Sequence, residues 1–291
     1  MKLLNTILVT ILFNTILLSC SNVKNIPPKL ISETFTYLTA HAIVEVCGPT
    51  KSHGIRCLKM DPKRFSASGS VVKHIKEYSY ILTAAHFCNI NRTQVIEAAL
   101  NPALIEAHFT DIKGVNVHVL IEILDGNGIT RIGKVVESNA LLDVCILKTD
   151  RIDTQILQLA SAPPSYGDTL WNLSSPLGIV MPRTAPVLKG VYSGKAKLSG
   201  GRDVYVITDL PAVFGCSGSP MINHNGKLVG MIYSTNQHFR EISYAVALED
   251  IRNFMDKVFI NKKREPPITG NTTLEVEIEP IHNMLSHPPS R

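Results

Sequence analysis

The chain has 291 residues, a hydrophobic content of 45% and a formal net charge of only +5, which allow one large globular domain or two small ones. It contains no long basic block, and the short run Lys262-Lys263-Arg264 is typical of an exposed helix end. The composition therefore argues against nucleic acid as a partner.

The first 20 residues are predicted to be a targeting segment of the lipoprotein type. Lys2 provides a short positive region, and a largely apolar stretch follows from Leu3 to Leu18. The sequence Leu17-Leu18-Ser19-Cys20 resembles a bacterial lipobox, in which the cysteine, here Cys20, carries the lipid. An ordinary signal peptide cut after Ser21 and an uncleaved anchor remain as alternatives.

All three alternatives export the folded domain. The lipoprotein alternative anchors it in the cell envelope or periplasm, and an ordinary signal peptide would make it a secreted protein. No other segment approaches the ~20 apolar residues of a spanning helix. We therefore expect contact with a membrane only through the lipid anchor.

The chain from residue 37 to about residue 150 has the pattern of a small antiparallel β-barrel. A polar, proline-containing linker, residues 21–36, precedes it. Short segments rich in β-branched and aromatic residues alternate with turn residues, and Asp125-Gly126-Asn127-Gly128 is a strong hairpin signal. Residues 93–107 are expected to be helical or irregular, with a break at Pro102. The predicted strands are Ala42–Val46, Ser68–Val72, Tyr80–Thr83, Val115–Leu124, Thr130–Glu137 and Leu142–Lys148.

A second series of short strands occupies residues 166–260. Its apolar segments are again separated by turn residues, and Leu248–Phe259 has the spacing of a helix that is apolar on one side. The predicted strands are Leu170–Leu173, Ala185–Ser193, Val204–Thr208, Ser219–Ile222, Lys227–Tyr233 and Ile242–Ala247. The sequence therefore predicts an all-β fold of two packed six-stranded antiparallel barrels with a C-terminal helix. Residues 261–291 are expected to be a flexible tail, with a docked edge strand at Leu274–Ile278 as the alternative.

The cysteines suggest disulfides rather than a metal site. Cys47 and Cys57 flank a loop, and a disulfide between them could connect the two strands of a hairpin. Cys88 lies two residues after His86 and Cys145 two residues after Asp143, so these two cysteines would be neighbours if His86 and Asp143 hydrogen-bond. Cys216 is then left unpaired. The alternative is that these cysteines are small buried apolar residues. The sequence contains no C-x-x-C and no H-x-x-x-H pair, so we expect no metal and no other cofactor.

Three stretches carry the residue types of an acyl-transfer enzyme. Ser217 lies in the small-residue turn Gly215-Cys216-Ser217-Gly218-Ser219-Pro220, which can expose its hydroxyl and direct N–H groups at the same point. His86 ends a strand-like run, and its imidazole can take the serine proton. Asp143 begins an apolar strand, where a carboxylate needs a hydrogen-bond donor. The order His, Asp, Ser is that of one known class of proteases.

These stretches resemble the chymotrypsin-like (trypsin-like, PA clan) serine proteases, and most closely the HtrA/Deg branch. The resemblance covers roughly residues 38–258 and rests on Ser68–Val72, Ile81–His86, Asp143–Lys148 and Gly215–Gly218. It implies that Ser217 is the nucleophile, His86 the general base and Asp143 the orienting acid. The same resemblance assigns the oxyanion hole to the N–H groups of Gly215 and Ser217.

The resemblance also locates the substrate pocket. It implies that Tyr233, Ser234 and Thr235 pair with an extended substrate and that Ser243 lies in a pocket wall. Pro211, six residues before Ser217, stands where trypsins have the aspartate that binds Arg or Lys. We therefore expect a neutral, small-to-medium apolar residue at P1, the residue before the scissile bond.

Two departures limit what the resemblance implies. Cys216 stands where trypsins have an aspartate and the HtrA branch usually has an asparagine, and the sequence has no activation-type Arg-Ile-Val-Gly-Gly, so we expect no trypsin-style zymogen switch. The residues after Phe259 are too few for the PDZ domain of HtrA proteins.

The sequence therefore predicts an exported serine endopeptidase without a cofactor, acting on protein or peptide substrates. The alternatives are a catalytically silent binding protein on a protease fold, and a narrow enzyme that processes its own linker or tail.

Overall fold

A computed structural model describes residues 34–51, 54–179, 185–198, 201–236 and 238–261. The predicted targeting segment with Cys20, most of the predicted linker, and the tail with its possible edge strand lie outside the described residues. Among the described residues, no helix has the length and apolar character needed to cross a membrane.

The first half of the described chain is a β-barrel with three short helices inserted after its fourth strand. Its strands are β1 (Phe35–Pro49), β2 (Ile55–Lys59), β3 (Lys63–Ile75), β4 (Tyr78–Thr83), β5 (Gly114–Asp125), β6 (Thr130–Asn139) and β7 (Val144–Asp150). The helices are α1 (Ala85–Cys88), α2 (Arg92–Ala99) and α3 (Pro102–His108). The strand order is β2-β1-β3-β4-β7-β6-β5, and pairing of β1 with β5 closes the ring.

The long strand β1 is the reason that this sheet can close. It pairs with β3 over residues 35–42 and with β5 over residues 36–47, both antiparallel. Side chains that alternate along β1 are therefore buried in the barrel interior. β2 pairs only with the last residues of β1 and adds a seventh strand outside the predicted six.

The second half is a closed barrel of six strands followed by one helix. Its elements are β8 (Thr169–Leu173), a 3₁₀ turn (Pro176–Gly178), β9 (Val187–Lys197), β10 (Asp203–Thr208), β11 (Pro220–Ile222), β12 (Leu228–Thr235), β13 (Ser243–Ala247) and α4 (Leu248–Asn261). The ring order is β10-β13-β12-β11-β8-β9. The two predicted barrels and the C-terminal helix are thus confirmed.

One apolar cluster joins the two barrels. It combines Leu82 and Ile146 of the first barrel with Leu173 and Met231 of the second. The buried face of α4 completes this cluster, and the ring of Phe259 packs edge-on against Tyr80 of β4 with centroids 5.3 Å apart. Burial of this shared surface, which also includes Ile222 of β11, holds the ends of β4, β7 and β11 close together, and the candidate catalytic residues lie beside these ends.

Candidate active site

The turn that carries Ser217 depends on glycine at two positions. Gly215 and Gly218 have φ angles of +93° and +80°, which side chains disfavour. A Cβ atom on Gly215 would lie 2.2 Å from the Ser175 carbonyl oxygen, and one on Gly218 would lie 2.3 Å from the Ser68 carbonyl oxygen. No side chain fits at either position, so this tight turn requires glycine at both.

The same turn is fastened to the first barrel. The Ser68 N–H donates to the Ser217 carbonyl oxygen at 2.8 Å, and Gly218 packs closely against Thr83 and the Ala84 nitrogen. Thr83 ends β4, and α1 with His86 begins two residues later. These contacts place Ser217 beside the helix that carries His86.

Asp143 holds His86 at two points. Its Oδ1 accepts the backbone N–H of His86, and its Oδ2 lies 2.8 Å from the ring Nδ1. The side chain of Asp143 is only 16% exposed, whereas that of His86 is 52% exposed. The second ring nitrogen, Nε2, makes no hydrogen bond to Ser217 Oγ or to any other group in the described part of the chain. This outward nitrogen can therefore accept a proton from a group that reaches it.

Asp143 reaches this position through an uncommon backbone conformation. It lies in the turn before β7 with a φ angle of +53°, which is uncommon for a residue other than glycine. Such a conformation persists when surrounding contacts determine it. Here the two bonds to His86 are such contacts.

Both predicted disulfides are present in the structure. Cys47 and Cys57 face each other on β1 and β2, and Cys88 joins Cys145, linking the end of α1 to β7. The second bridge therefore starts two residues after His86 and ends two residues after Asp143. Cys216 is a free, buried thiol.

A hydrogen bond fixes the orientation of the peptide bond between Phe214 and Gly215. The Phe214 oxygen accepts the Leu177 N–H at 2.7 Å, so the Gly215 N–H on the same planar peptide points the opposite way. Among the hydrogen bonds of the described residues, neither the Gly215 N–H nor the Ser217 N–H has a partner. Both donors are thus available to a ligand.

A cavity of about 470 Å³ lies next to Ser217. Its lining residues are Leu177, Ala212, Val213, Phe214, Cys216, Ser217, Ile232, Ser234, Thr235, Asn236 and Arg240. This lining is mostly apolar and contains no carboxylate. Such a cavity suits an uncharged side chain of small or medium size.

The cavity includes two of the five predicted substrate residues. Ser234 and Thr235 line it, whereas Pro211, Tyr233 and Ser243 do not. Pro211 is exposed outside the cavity, and Ser243 is fully buried, with its hydroxyl donating to the Leu210 carbonyl oxygen at 2.7 Å. Tyr233 packs against the shared core instead.

Leu177 and Arg240 are among the lining residues that were not foreseen in that role. Leu177 lies in the 3₁₀ turn after β8, and Arg240 lies in the loop between β12 and β13. Leu177 stands between Pro176 and Gly178, two turn-forming residues that could have drawn attention to it. No pattern in the sequence marks Arg240, because a loop has no periodicity.

The only group of possible metal ligands found in the described part of the chain lies far from this cavity in the sequence. It consists of Glu45, Cys47 and Cys57. Both thiols of this group are joined in a disulfide, so they cannot act as thiolate ligands.

Comparisons with known proteins identify a peptidase family. Residues 67–231 match the model of the trypsin-like peptidase domain. The chain is 24% identical over 271 residues to the serine protease Do-like HtrA of Bacillus subtilis (strain 168), covering 89% of this chain and 52% of that protein. It is 25% identical over 146 residues to a probable periplasmic serine endoprotease DegP-like of Hahella chejuensis (strain KCTC 2396), covering 48% and 30%. The chain thus spans about half or less of the length of these relatives.

Solved structures share the fold. The Rv3671c protease from M. tuberculosis, in its active form, superposes with a TM-score of 0.51 at 18% identity, covering 75% of this chain and 80% of that one. The serine endoprotease from Yersinia pestis gives a TM-score of 0.50 at 18% identity, covering 82% and 69%.

Proposed function

Because the chain belongs to the trypsin-like peptidase family, we propose that it is a serine endopeptidase that hydrolyses peptide bonds through an acyl-enzyme. In this proposal Ser217 is the nucleophile, His86 the general base and Asp143 the orienting acid. The observation that carries it is the two-point hold of Asp143 on His86, with distances of 2.8 Å to both nitrogens. A carboxylate that binds Nδ1 leaves Nε2 as the basic nitrogen and stabilises the imidazolium that forms.

The reaction then follows from the positions of these groups. Ser217 Oγ attacks the substrate carbonyl carbon while His86 Nε2 takes the hydroxyl proton, and the same nitrogen returns the proton to the leaving amine. Water then hydrolyses the acyl-enzyme, again with His86 as the base. Nε2 and Oγ are not hydrogen-bonded in the absence of substrate, and such catalytic contacts often shorten only when substrate binds.

The Gly215 and Ser217 N–H groups are proposed to form the oxyanion hole. Both are without a partner among the described hydrogen bonds, and the Phe214 carbonyl is held away by Leu177. A fixed donor at the point where negative charge develops typically lowers the activation barrier by about 3–4 kcal/mol.

We propose that an extended peptide adds to β12 at Tyr233–Thr235. β11 pairs with β12 only as far as Met231, and the Ile232 N–H and carbonyl oxygen bond to Ser219 and Gly218. The following residues therefore have a free edge on that side, which suits strand addition by a substrate. The P1 side chain would enter the cavity of about 470 Å³. Arg240 and the absence of a carboxylate there disfavour Lys and Arg at P1.

We further propose that the catalytic domain comprises about residues 35–260, two residues more than the predicted 37–260 because β1 already begins at Phe35, with barrels at about 35–150 and 166–260, and that it acts outside the cytoplasm. The two disulfides support this location, because such bonds persist in oxidising compartments. Residues 1–20 would direct export, with lipidation at Cys20, and the linker that follows would end where β1 begins at Phe35, not at residue 36 as the sequence predicted. Protein or peptide substrates are the partners that this function requires.

Labelling of the purified protein with a fluorophosphonate tests the function. This reagent reacts with an activated serine next to a working oxyanion hole and needs little substrate specificity. We expect labelling of the wild type, none of Ser217→Ala, and a loss on the order of 10⁴ in rate for Asp143→Asn. Asp150→Asn, at the other end of β7, is the matched control and should label normally. Absence of labelling in folded wild type would overturn the proposal of an enzyme and favour the alternative of a catalytically silent binding protein.

A further inference from the structure

Arg202 links the second barrel to the turn that carries Asp143. It lies directly before β10, and its Nη1 donates to the backbone carbonyl oxygen of Leu141 in the first barrel. Leu141 is two residues before Asp143, and its side chain is 87% exposed. The Leu141 side chain therefore cannot anchor this turn by burial.

The Arg202 guanidinium is supported from its other side by Tyr233. Its Cζ lies 4.9 Å from the centre of the Tyr233 ring, a distance at which the cation and the ring attract each other. Burial raises the pKa of Tyr233, the Arg202 charge and hydrogen bond oppose this rise, and the Asp143 charge adds to it. Arg202, Tyr233 and Asp143 thus form one electrostatic group across the junction of the barrels.

The Arg202 side chain is partly buried. Its Nε is buried without a hydrogen-bond partner among the described residues, a cost that the other contacts of the guanidinium must offset. Asp250 is a further charged group that senses the Arg202 charge. Burial raises the pKa of Asp250, and Arg202 opposes that rise.

The Arg202 contact adds to the bonds that hold the Asp143 turn. Within the turn, the Leu142 N–H donates to Asn139 Oδ1 at 3.0 Å. Asp143 itself keeps a left-handed φ angle of +53°, which costs on the order of 1–3 kcal/mol unless contacts outside the turn compensate. Arg202 bonds to the backbone of this turn, so it can act on the Asp143 orientation without touching the carboxylate.

We propose that Arg202, supported by Tyr233, is a positioning residue for Asp143, so that the alignment of His86 depends on a contact between the two barrels. This inference rests on the proposed function of His86 and Asp143. A displacement of the Arg202 side chain would release the Leu141 carbonyl group, loosen the Asp143 turn and reduce the fraction of molecules in which His86 is held. Substrate binding in the cavity would be little changed, because Arg202 does not line it.

The test compares Arg202→Met, Arg202→Lys and Lys195→Met. Lys195 is the matched control, because it lies on β9 of the same hairpin, 5.6 Å from the ring centre of Tyr205 and 3.9 Å from a Glu249 oxygen, without touching the Asp143 turn. The first readout is the NMR titration of the His86 ring in a Ser217→Ala background, with the signal assigned by its absence in His86→Gln. That readout needs no activity.

The direction of the change separates positioning from simple charge. If Arg202→Met frees Asp143, the imidazolium loses its carboxylate and the midpoint of the His86 titration moves to lower pH. If Arg202 acts only through its charge, removing it moves the midpoint to higher pH. We expect the shift to lower pH for Arg202→Met, a smaller shift for Arg202→Lys, which keeps one donor, and none for Lys195→Met. An unchanged or raised midpoint in the Arg202 variants would overturn the proposal.

The second readout is kinetic and uses the active protein. We expect Arg202→Met to lower kcat at least tenfold with KM within twofold, Arg202→Lys to recover most of that loss, and Lys195→Met to match wild type. Equal kcat in wild type and Arg202→Met would also overturn the proposal. If Arg202→Met does not fold, Arg202→Lys carries both readouts. Absence of fluorophosphonate labelling in wild type is a separate failure, that of the proposed function.

Discussion

Ser68 in the first barrel donates a hydrogen bond from its Oγ to the carbonyl oxygen of Gly215 in the second, at 2.7 Å. Its N–H also donates to the Ser217 carbonyl oxygen at 2.8 Å. One residue of β3 therefore holds the turn of the candidate nucleophile on both sides of Cys216. The Ser68 Oγ in turn accepts the Ser175 N–H at 3.0 Å, so it is a fully used buried hydroxyl.

Replacing Ser68 by alanine should loosen the Ser217 turn. The Gly215 carbonyl would keep only the weaker bond from Ser175 Oγ at 3.3 Å, and the Ser175 N–H would lose its acceptor. We expect Ser68→Ala to lower the free energy of unfolding by about 1–3 kcal/mol and kcat/KM by about tenfold. Peptide hydrolysis and urea unfolding of the same preparations measure both effects.

Ser70→Ala is the matched control for that prediction. Ser70 lies on the same strand and is equally buried, but its Oγ has no hydrogen-bond partner among the described residues. Removing an unpaired buried hydroxyl should leave stability unchanged or slightly higher, with normal kcat/KM. Equal effects of the two variants would show that the hydrogen bonds of Ser68 do not orient the turn.

The Cys88–Cys145 disulfide is predicted to support both stability and catalysis. Its cysteines are 57 residues apart, and closing a loop of that length in the unfolded chain corresponds to about 4 kcal/mol. The bridge also ties the helix of His86 to the strand after Asp143. We therefore expect the double variant Cys88→Ala/Cys145→Ala to unfold at lower denaturant concentration and to lose activity while still folded.

The Cys47–Cys57 disulfide provides the comparison. It closes a separation of only 10 residues, which corresponds to about 3 kcal/mol, and it joins β1 to β2 away from the candidate site. The variant Cys47→Ala/Cys57→Ala should lose stability but keep kcat/KM of the folded protein. If both double variants had the same kcat/KM, the brace between His86 and Asp143 would have no catalytic role.

The candidate catalytic residues could be predicted because each lies in a short run with unusual local chemistry. Ser217 stands among glycines that only a tight turn requires, and Asp143 is a carboxylate beside an apolar strand. The barrels could be predicted because β-branched segments and turn residues alternate along the chain. Local patterns of this kind predict the structure well, because the conformation of such a segment depends more on its own backbone than on distant contacts.

Other features depend on distant contacts and could not be predicted. Arg202 meets Leu141 across 61 residues of sequence, and nothing near residue 202 indicates that contact. β2 was missed because its residues are almost all exposed, so it lacks the alternation of a half-buried strand. Arg240 lines the cavity from the loop after β12, where no local pattern marks it.

Tyr205 is predicted to control stability in alkaline solution. It is fully buried, and its hydroxyl donates to Glu249 Oε2 at 2.9 Å. Burial, and then this hydrogen bond, raise the pKa of Tyr205 above its ordinary value of about 10. A raised folded-state pKa gives stability that is complete below about pH 10 and is lost as the pH rises towards the folded-state pKa.

The variant Tyr205→Phe should therefore be less stable at pH 8 but lose less further stability between pH 10 and pH 12. The substitution should reduce the slope of the unfolding free energy against pH by at most about 1.4 kcal/mol per pH unit, the value for one proton. Denaturant unfolding at several pH values measures it. Tyr166→Phe, at an exposed tyrosine, is the control and should leave the slope unchanged. Identical alkaline slopes for wild type and Tyr205→Phe would contradict the assignment.

The P1 preference is predicted to depend on Arg240. No carboxylate lines the cavity next to Ser217, and Arg240 adds a positive charge there, so a Lys or Arg side chain would be desolvated against a like charge. In peptides that differ only at P1, we expect Ala, Val or Leu to exceed Lys or Arg in kcat/KM by on the order of 100-fold, about 2.7 kcal/mol. Arg240→Glu should raise the kcat/KM for Lys and Arg at least tenfold relative to Leu, because the introduced carboxylate attracts these side chains. The neutral control Arg240→Gln should give a smaller gain, because it only removes the repulsion. A wild-type preference for Lys or Arg, or an unchanged ratio in Arg240→Glu, would mean that the P1 side chain does not enter the cavity beside Arg240.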